Sequence, residues 1–207
     1  SFFVSGVIPV SKSISIATDT ADIVFVSCES ANTSVVCHEQ RNLKHSVTVK
    51  EDILVIEVID TRKWYEYIGI ALGNQKITVY LPKAQYDMLS IKESTGDIEI
   101  PKEFNFNSID ILTSTGDVKV YASAYGDIKI KTSTGNISAK KISVGALDLS
   151  VSTGKINISD VISEGDIKIN VSTGKAYMTN IKCKSVISSG NTGNISLKNV
   201  IFTCELE

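Results

Sequence analysis

Apolar and polar side chains alternate with period two along most of the chain, in runs such as Ser13-Ile14-Ser15-Ile16, Ala21-Asp22-Ile23-Val24-Phe25-Val26 and Lys76-Ile77-Thr78-Val79-Tyr80-Leu81. Such alternation marks strands whose successive side chains face opposite sides. Further strands are predicted at Ser46-Val47-Thr48-Val49 and from Ile53 to Val58. Later in the chain the alternation becomes a repeat anchored on Ser-Thr-Gly. The anchor glycines are Gly96, Gly116, Gly135, Gly154 and Gly174, with a worn copy ending at Gly193, and their successive spacings are 20, 19, 19, 20 and 19 residues.

Aligned on that glycine, the copies share four apolar columns. Seven residues before it stand Leu89, Ile109, Ile128, Leu147, Ile167 and Val186; five before it stand Ile91, Ile111, Ile130, Leu149 and Ile169. Two after it stand Ile98, Val118, Ile137, Ile156, Ala176 and Ile195; four after it stand Ile100, Val120, Ala139, Ile158, Met178 and Leu197. The intervening positions are mostly polar, so each repeat is read as two short strands and two corners with one face inward.

A stack of coils and an antiparallel meander of hairpins both accommodate such a unit, and a charge column decides between them. Six residues before the glycine the sequence reads Asp110, Lys129, Asp148, Lys168. In a stack, equivalent positions lie about 4.8 Å apart, where alternating charges attract; in a meander another strand separates them. The pattern therefore predicts an all-β, single-stranded β-solenoid with coils of 19–20 residues, right-handed by the general rule for parallel crossovers. Residues 1–207 are expected to share one domain: irregular coils over 1–88, with an inserted loop near 60–75, then regular repeats over 89–207.

Composition narrows the function. Lys and Arg total 21 against 23 Asp and Glu, a net charge of -2, and Arg41 and Arg62 are the only arginines. No global positive field exists to attract nucleic acid. The longest apolar stretches are a few residues, such as Ile53 to Ile56, too short to cross a bilayer. The chain begins at Ser1 rather than Met, and a preceding signal peptide or membrane anchor that tethers the domain is the expectation.

The run Ile77-Thr78-Val79-Tyr80-Leu81-Pro82-Lys83, then Leu89-Ser90-Ile91, then Ser-Thr-Gly-Asp-Ile copies, resembles the bacterial putative-adhesin family of β-solenoid domains. The resemblance covers most of the chain and is strongest from about residue 76. It implies a bacterial protein, often membrane-anchored or surface-exposed, and supplies no catalytic residue to carry over.

Candidate chemistry is sparse. The repeat glycines suit corners that require φ > 0, and Asp97, Asp117, Asn136 and Asn194 after them suit turns. A calcium row is disfavoured because Lys155 and Lys175 share that column. Cys28 and Cys37 flank a predicted hairpin turning near Asn32-Thr33, which makes them the candidate disulfide, although strain in a cross-strand bridge favours free thiols. Cys183 and Cys204 are 21 residues apart, about one coil. Closely spaced cysteine pairs for a four-cysteine zinc site are absent, and His38 and His45 read as a solvated polar loop. No catalytic, cofactor-binding or metal residue is assigned, and no cofactor is expected. Trp64, Tyr65 and Tyr67, in the least strand-like segment, are the candidate partner-binding residues, with an end cap as the competing role.

These observations lead to a non-enzymatic, extracytoplasmic surface or scaffold module whose partner is a protein or surface glycan. A membrane-associated regulatory or envelope-stress partner domain is the alternative. A polysaccharide-active β-helix is disfavoured, because the repeat columns hold no convergent acid pair and no arginine.

Overall fold

The computed structural model describes residues 2–39, 43–60 and 75–203, which form strands and turns without a helix. The repeats stack as parallel coils in the predicted register. Their strands are β8 (Gln85–Thr95), β9 (Ile98–Ile100), β10 (Asn105–Thr115), β11 (Val118–Val120), β12 (Ser123–Ser163), β13 (Ile167–Cys183), β14 (Val186–Ser189) and β15 (Thr192–Phe202). Leu89, Ile109 and Ile128 lie side by side, as do Leu147, Ile167 and Val186. Asp110 stands beside Lys129 and Asp148 beside Lys168, so the alternating charges do fall on adjacent strands.

Each coil has three strand segments rather than the two expected. The third ladder pairs Asn105 with Ser123, Phe106 with Ala124, Val161 with Ile181 and Cys183 with Phe202. Its inward column begins with Tyr86 and Phe106, whose rings are 5.7 Å apart, and continues through buried Ala124, Val144, Ser163 and Cys183. Those side chains share no single chemistry, and so the column is inconspicuous in the sequence.

Two corners are built differently. The repeat glycines Gly96, Gly116, Gly135, Gly154 and Gly174 have φ between 137° and 151°. A Cβ on Gly135 would lie 2.0 Å from the Gly116 carbonyl oxygen of the preceding coil, so close stacking excludes a side chain there independently of φ. At a second corner, Lys141, Asp160, Asn180 and Asn199 adopt φ of 54–56°. Asn180 Nδ2 donates to Asp160 Oδ1 and Asn199 Nδ2 to Asn180 Oδ1, both at 2.9 Å, which ties successive left-handed turns together.

The N-terminal part departs from sequential stacking. It contains β1 (Phe2–Val4), β2 (Ser13–Ala17), β3 (Asp22–Cys28), β4 (Ser34–His38), β5 (Leu43–Lys50), β6 (Ile53–Asp60) and β7 (Lys76–Pro82). β2 lies between β6 and β8, and β3 between β7 and β9, all parallel. The first coil entered by the chain is therefore the second in the stack. β5 runs antiparallel to β6, β4 to β7 and β1 to β4, so reversed strands occupy the outer edge. One buried apolar cluster runs from Ile14 to Cys183 and joins the irregular part to the repeats.

Candidate functional site

Trp64, Tyr65 and Tyr67 lie outside the described residues, as does Cys204. The hairpin expected around Asn32-Thr33 is not formed, because β7 inserts between β3 and β4. Cys28 is aligned with Pro82, whereas Cys37 is aligned with Ile77. Both thiols are free, and the Cys28 thiol points back toward the carbonyls of Ser30 and Asn32.

The solvated-loop reading must be corrected for both histidines: His38 is exposed but ends strand β4, and His45 is buried on β5. Three chemistries meet there. Ligand atoms of Cys37, Glu39 and His45 all lie within 4.8 Å of one another, and all three residues are buried. Glu39 Oε1 accepts the His45 backbone N–H at 2.6 Å and lies 3.5 Å from His45 Nδ1. On the far side of the ring, His45 Nε2 is 2.9 Å from Thr18 Oγ1.

Burial pushes the Cys37 thiol up to about 12, with the negative charge of Glu39 adding to the effect. Burial lowers the His45 imidazole, while charge and hydrogen bonding from Glu39 oppose the shift in part. The resting arrangement is a protonated thiol and a neutral imidazole. Two of the three residues are separated from the third by the β4–β5 connection, so neither metal-ligand spacing nor strand periodicity exposes the group in sequence.

A second buried acid sits where the repeats begin. Glu93 lies three residues before Gly96, in an inward column continued by Thr113, Thr132, Val151 and Val171. Thr113 Oγ1 donates to Glu93 Oε1 at 3.4 Å, but Glu93 Oε2 has no partner among the described residues. Burial raises the carboxyl to about 8; the Thr113 hydrogen bond opposes this, and the charges of Asp22 and Asp97 add to it. Glu93 lines a groove of about 530 Å³ together with Thr18, Glu57, Lys92 and Ser114.

The last coil has a different character. Ile195, Leu197 and Phe202 occupy inward columns yet are 39%, 49% and 51% exposed, because β15 pairs only with β13 and no described strand lies beyond it. Outward columns change too. Ile187 stands beside Lys168 and Ile201 beside Lys182, and both isoleucines are exposed. Lysines thus neighbour apolar side chains on the last described coil, and Lys182 has exposed Ile162 on its other side.

The chain is similar to a crystal structure of a putative adhesin from Bacteroides fragilis, at 18% identity and a TM-score of 0.56, over 96% of this chain and 97% of that one. It is also similar to a putative lipid binding protein from Parabacteroides distasonis, at 17% identity and a TM-score of 0.47, over 99% and 94% of the two chains. A putative cell adhesion protein from Clostridium sporogenes aligns at 11% identity and a TM-score of 0.39, over 96% and 98%. No curated protein matches the chain significantly. The first of these likenesses supports the fold found here. A profile of the Toastrack family, DUF4097, matches residues 11–171, more than half the chain, and the protein therefore belongs to that family.

Proposed function

We propose that the chain is a non-enzymatic, extracytoplasmic surface or scaffold module of the bacterial envelope, and that it engages a partner protein through its last coil. The observation that carries this reading is the exposed apolar pair Ile187 and Ile201 on the outward columns of the last described coil, beside Lys168 and Lys182. An open end alone exposes inward columns. Apolar residues on the outward columns of that same coil favour a partner that adds a strand to β15 and folds over its flank. The inner coils argue for the same occupant, since each already pairs in register with a strand of this spacing.

Support for a non-catalytic role comes from the acids. Glu93 is 5% exposed and its column continues as hydroxyl and valine side chains, while the outward charges alternate in sign along the stack. The B. fragilis neighbour is described as a putative adhesin, a description in keeping with a surface role.

Binding of the labelled domain to envelope from its host bacterium tests the proposal. The Ile187→Lys/Ile201→Lys variant restores the residue type of the preceding coil at exposed sites, so its melting should match wild type. Loss of binding in that variant is the expected result. Equal binding by both proteins, or no binding by wild type, would overturn it. Glycan turnover abolished by Glu93→Gln or Glu57→Gln would instead establish an enzyme.

A further inference from the structure

We propose that Cys37, Glu39 and His45 form a binding site for a divalent transition-metal cation of the zinc type, which clips β4 and β5 onto the coil entered by β2. The donor set is thiolate, carboxylate and imidazole, a combination suited to zinc and unlike the all-oxygen shells of calcium or magnesium. All three donors are within 4.8 Å of one another. Tetrahedral zinc at its usual bond lengths separates donors by roughly 3.3–3.8 Å. The 3.5 Å between His45 Nδ1 and Glu39 Oε1 already falls in that range, and small side-chain rotations bring in the sulfur.

The imidazole provides the second, independent observation. His45 is buried, and its Nδ1 comes no closer than 3.5 Å to the Glu39 carboxylate, with no better-formed hydrogen bond among the described residues. Leaving such a nitrogen unpartnered in the interior is costly. Thr18 Oγ1, 2.9 Å from Nε2, can accept the ring proton there. With a metal bound, Nε2 carries the proton and donates it to Thr18 Oγ1, which leaves the Nδ1 lone pair, on the Glu39 side of the ring, for the metal, the usual outer-shell arrangement of a metal-ligating histidine.

Gln75 is the candidate for a further, neutral ligand. It is buried with both amide atoms unpartnered, and it precedes Lys76, the register partner of His38. Continuing that register one step sets Gln75 across from Glu39, so its amide oxygen is the group we assign to a fourth position. On binding, the Cys37 S–H bond breaks, the proton passes to solvent and the sulfur lone pair forms the metal bond, with no change of oxidation state.

Titration of the reduced protein with cobalt(II), a spectroscopic stand-in for zinc, tests the site. One equivalent should produce thiolate-to-cobalt charge transfer and tetrahedral d–d absorption, and zinc should displace it and raise the melting temperature. Cys37→Ser should remove the charge-transfer band, whereas Cys28→Ser should retain it. Thr18→Val keeps all three ligands and should weaken binding about 10–100-fold by freeing the imidazole tautomer; this variant decides the matter if Cys37→Ser does not fold. Absence of the band in wild type, its survival in Cys37→Ser, or unchanged affinity in Thr18→Val would each overturn the proposal.

Discussion

Asp117 Oδ1 accepts the backbone N–H of Asn136, its counterpart one coil further along, at 2.8 Å, and the Asn136 side-chain amide at 3.0 Å. The same relationship links Asp22 to Asp97, Asp97 to Asp117 and Asn136 to Lys155. An acid or amide after the repeat glycine therefore does more than suit a turn, because its oxygen satisfies a backbone donor that the corner leaves outside the strand ladders. Asp117→Ala should cost about 1–3 kcal/mol in urea unfolding, while Asp117→Asn, which retains an acceptor oxygen, should cost less than about 1 kcal/mol.

Gly135 meets both restrictions at once, a φ of 137° and a backbone oxygen 2.0 Å from where a Cβ would sit. Gly135→Ala should destabilise by about 3 kcal/mol or more, since strain and overpacking add. Gly6→Ala is the contrast, with nothing within 4 Å of its added methyl. Thermal melting that leaves Gly135→Ala no less stable than Gly6→Ala would contradict the corner geometry.

Ile130 and Ile169 are fully enclosed in the same inward column. Ile130→Asp or Ile169→Asp places a carboxylate there without a partner and should unfold the repeats at neutral pH, a loss beyond about 4 kcal/mol. Circular dichroism at 25 °C reads this directly; an unchanged melting temperature would refute the register.

Glu93 should make stability fall as pH rises. Its folded carboxyl holds its proton up to about 8, whereas the ordinary value is 4.5, so between those limits the folded chain binds more protons than the unfolded chain. The contribution is fully present below the lower limit and lost through the upper one, on the order of 3–5 kcal/mol in all. Glu93→Gln should match wild type at acid pH and exceed its stability at pH 8. Parallel stability curves for the two proteins across that range would show that Glu93 ionises freely in the fold.

Strand identity, coil length and stacked register were legible in the sequence for a physical reason. Each coil of a solenoid meets the same environment as its neighbours, so Ile128, Leu147 and Ile167 recur at fixed spacing and Lys129 answers Asp110. The third ladder lacked that uniformity: its inward side chains change in size and chemistry along the stack, and Tyr86, Ala124 and Ser163 satisfy the same position. Glu93 was likewise hidden, being an acid in a column whose later members are threonine and valine.

The N-terminal arrangement was decided only in three dimensions. Local alternation predicts strands at Ser13–Ile16 and Ile53–Val58 but cannot say that β2 enters between β6 and β8, since that order depends on which edges remain free once the coils stack. The same non-local choice places β7 between β3 and β4, which separates Cys28 from Cys37 and aligns Cys37 with Ile77. Spacing along the chain determined the repeating body of this protein, because its contacts recur one coil apart. Its polar cluster was determined by folding, because Thr18, Cys37, Glu39 and His45 belong to different strands and connections that only the tertiary fold brings together.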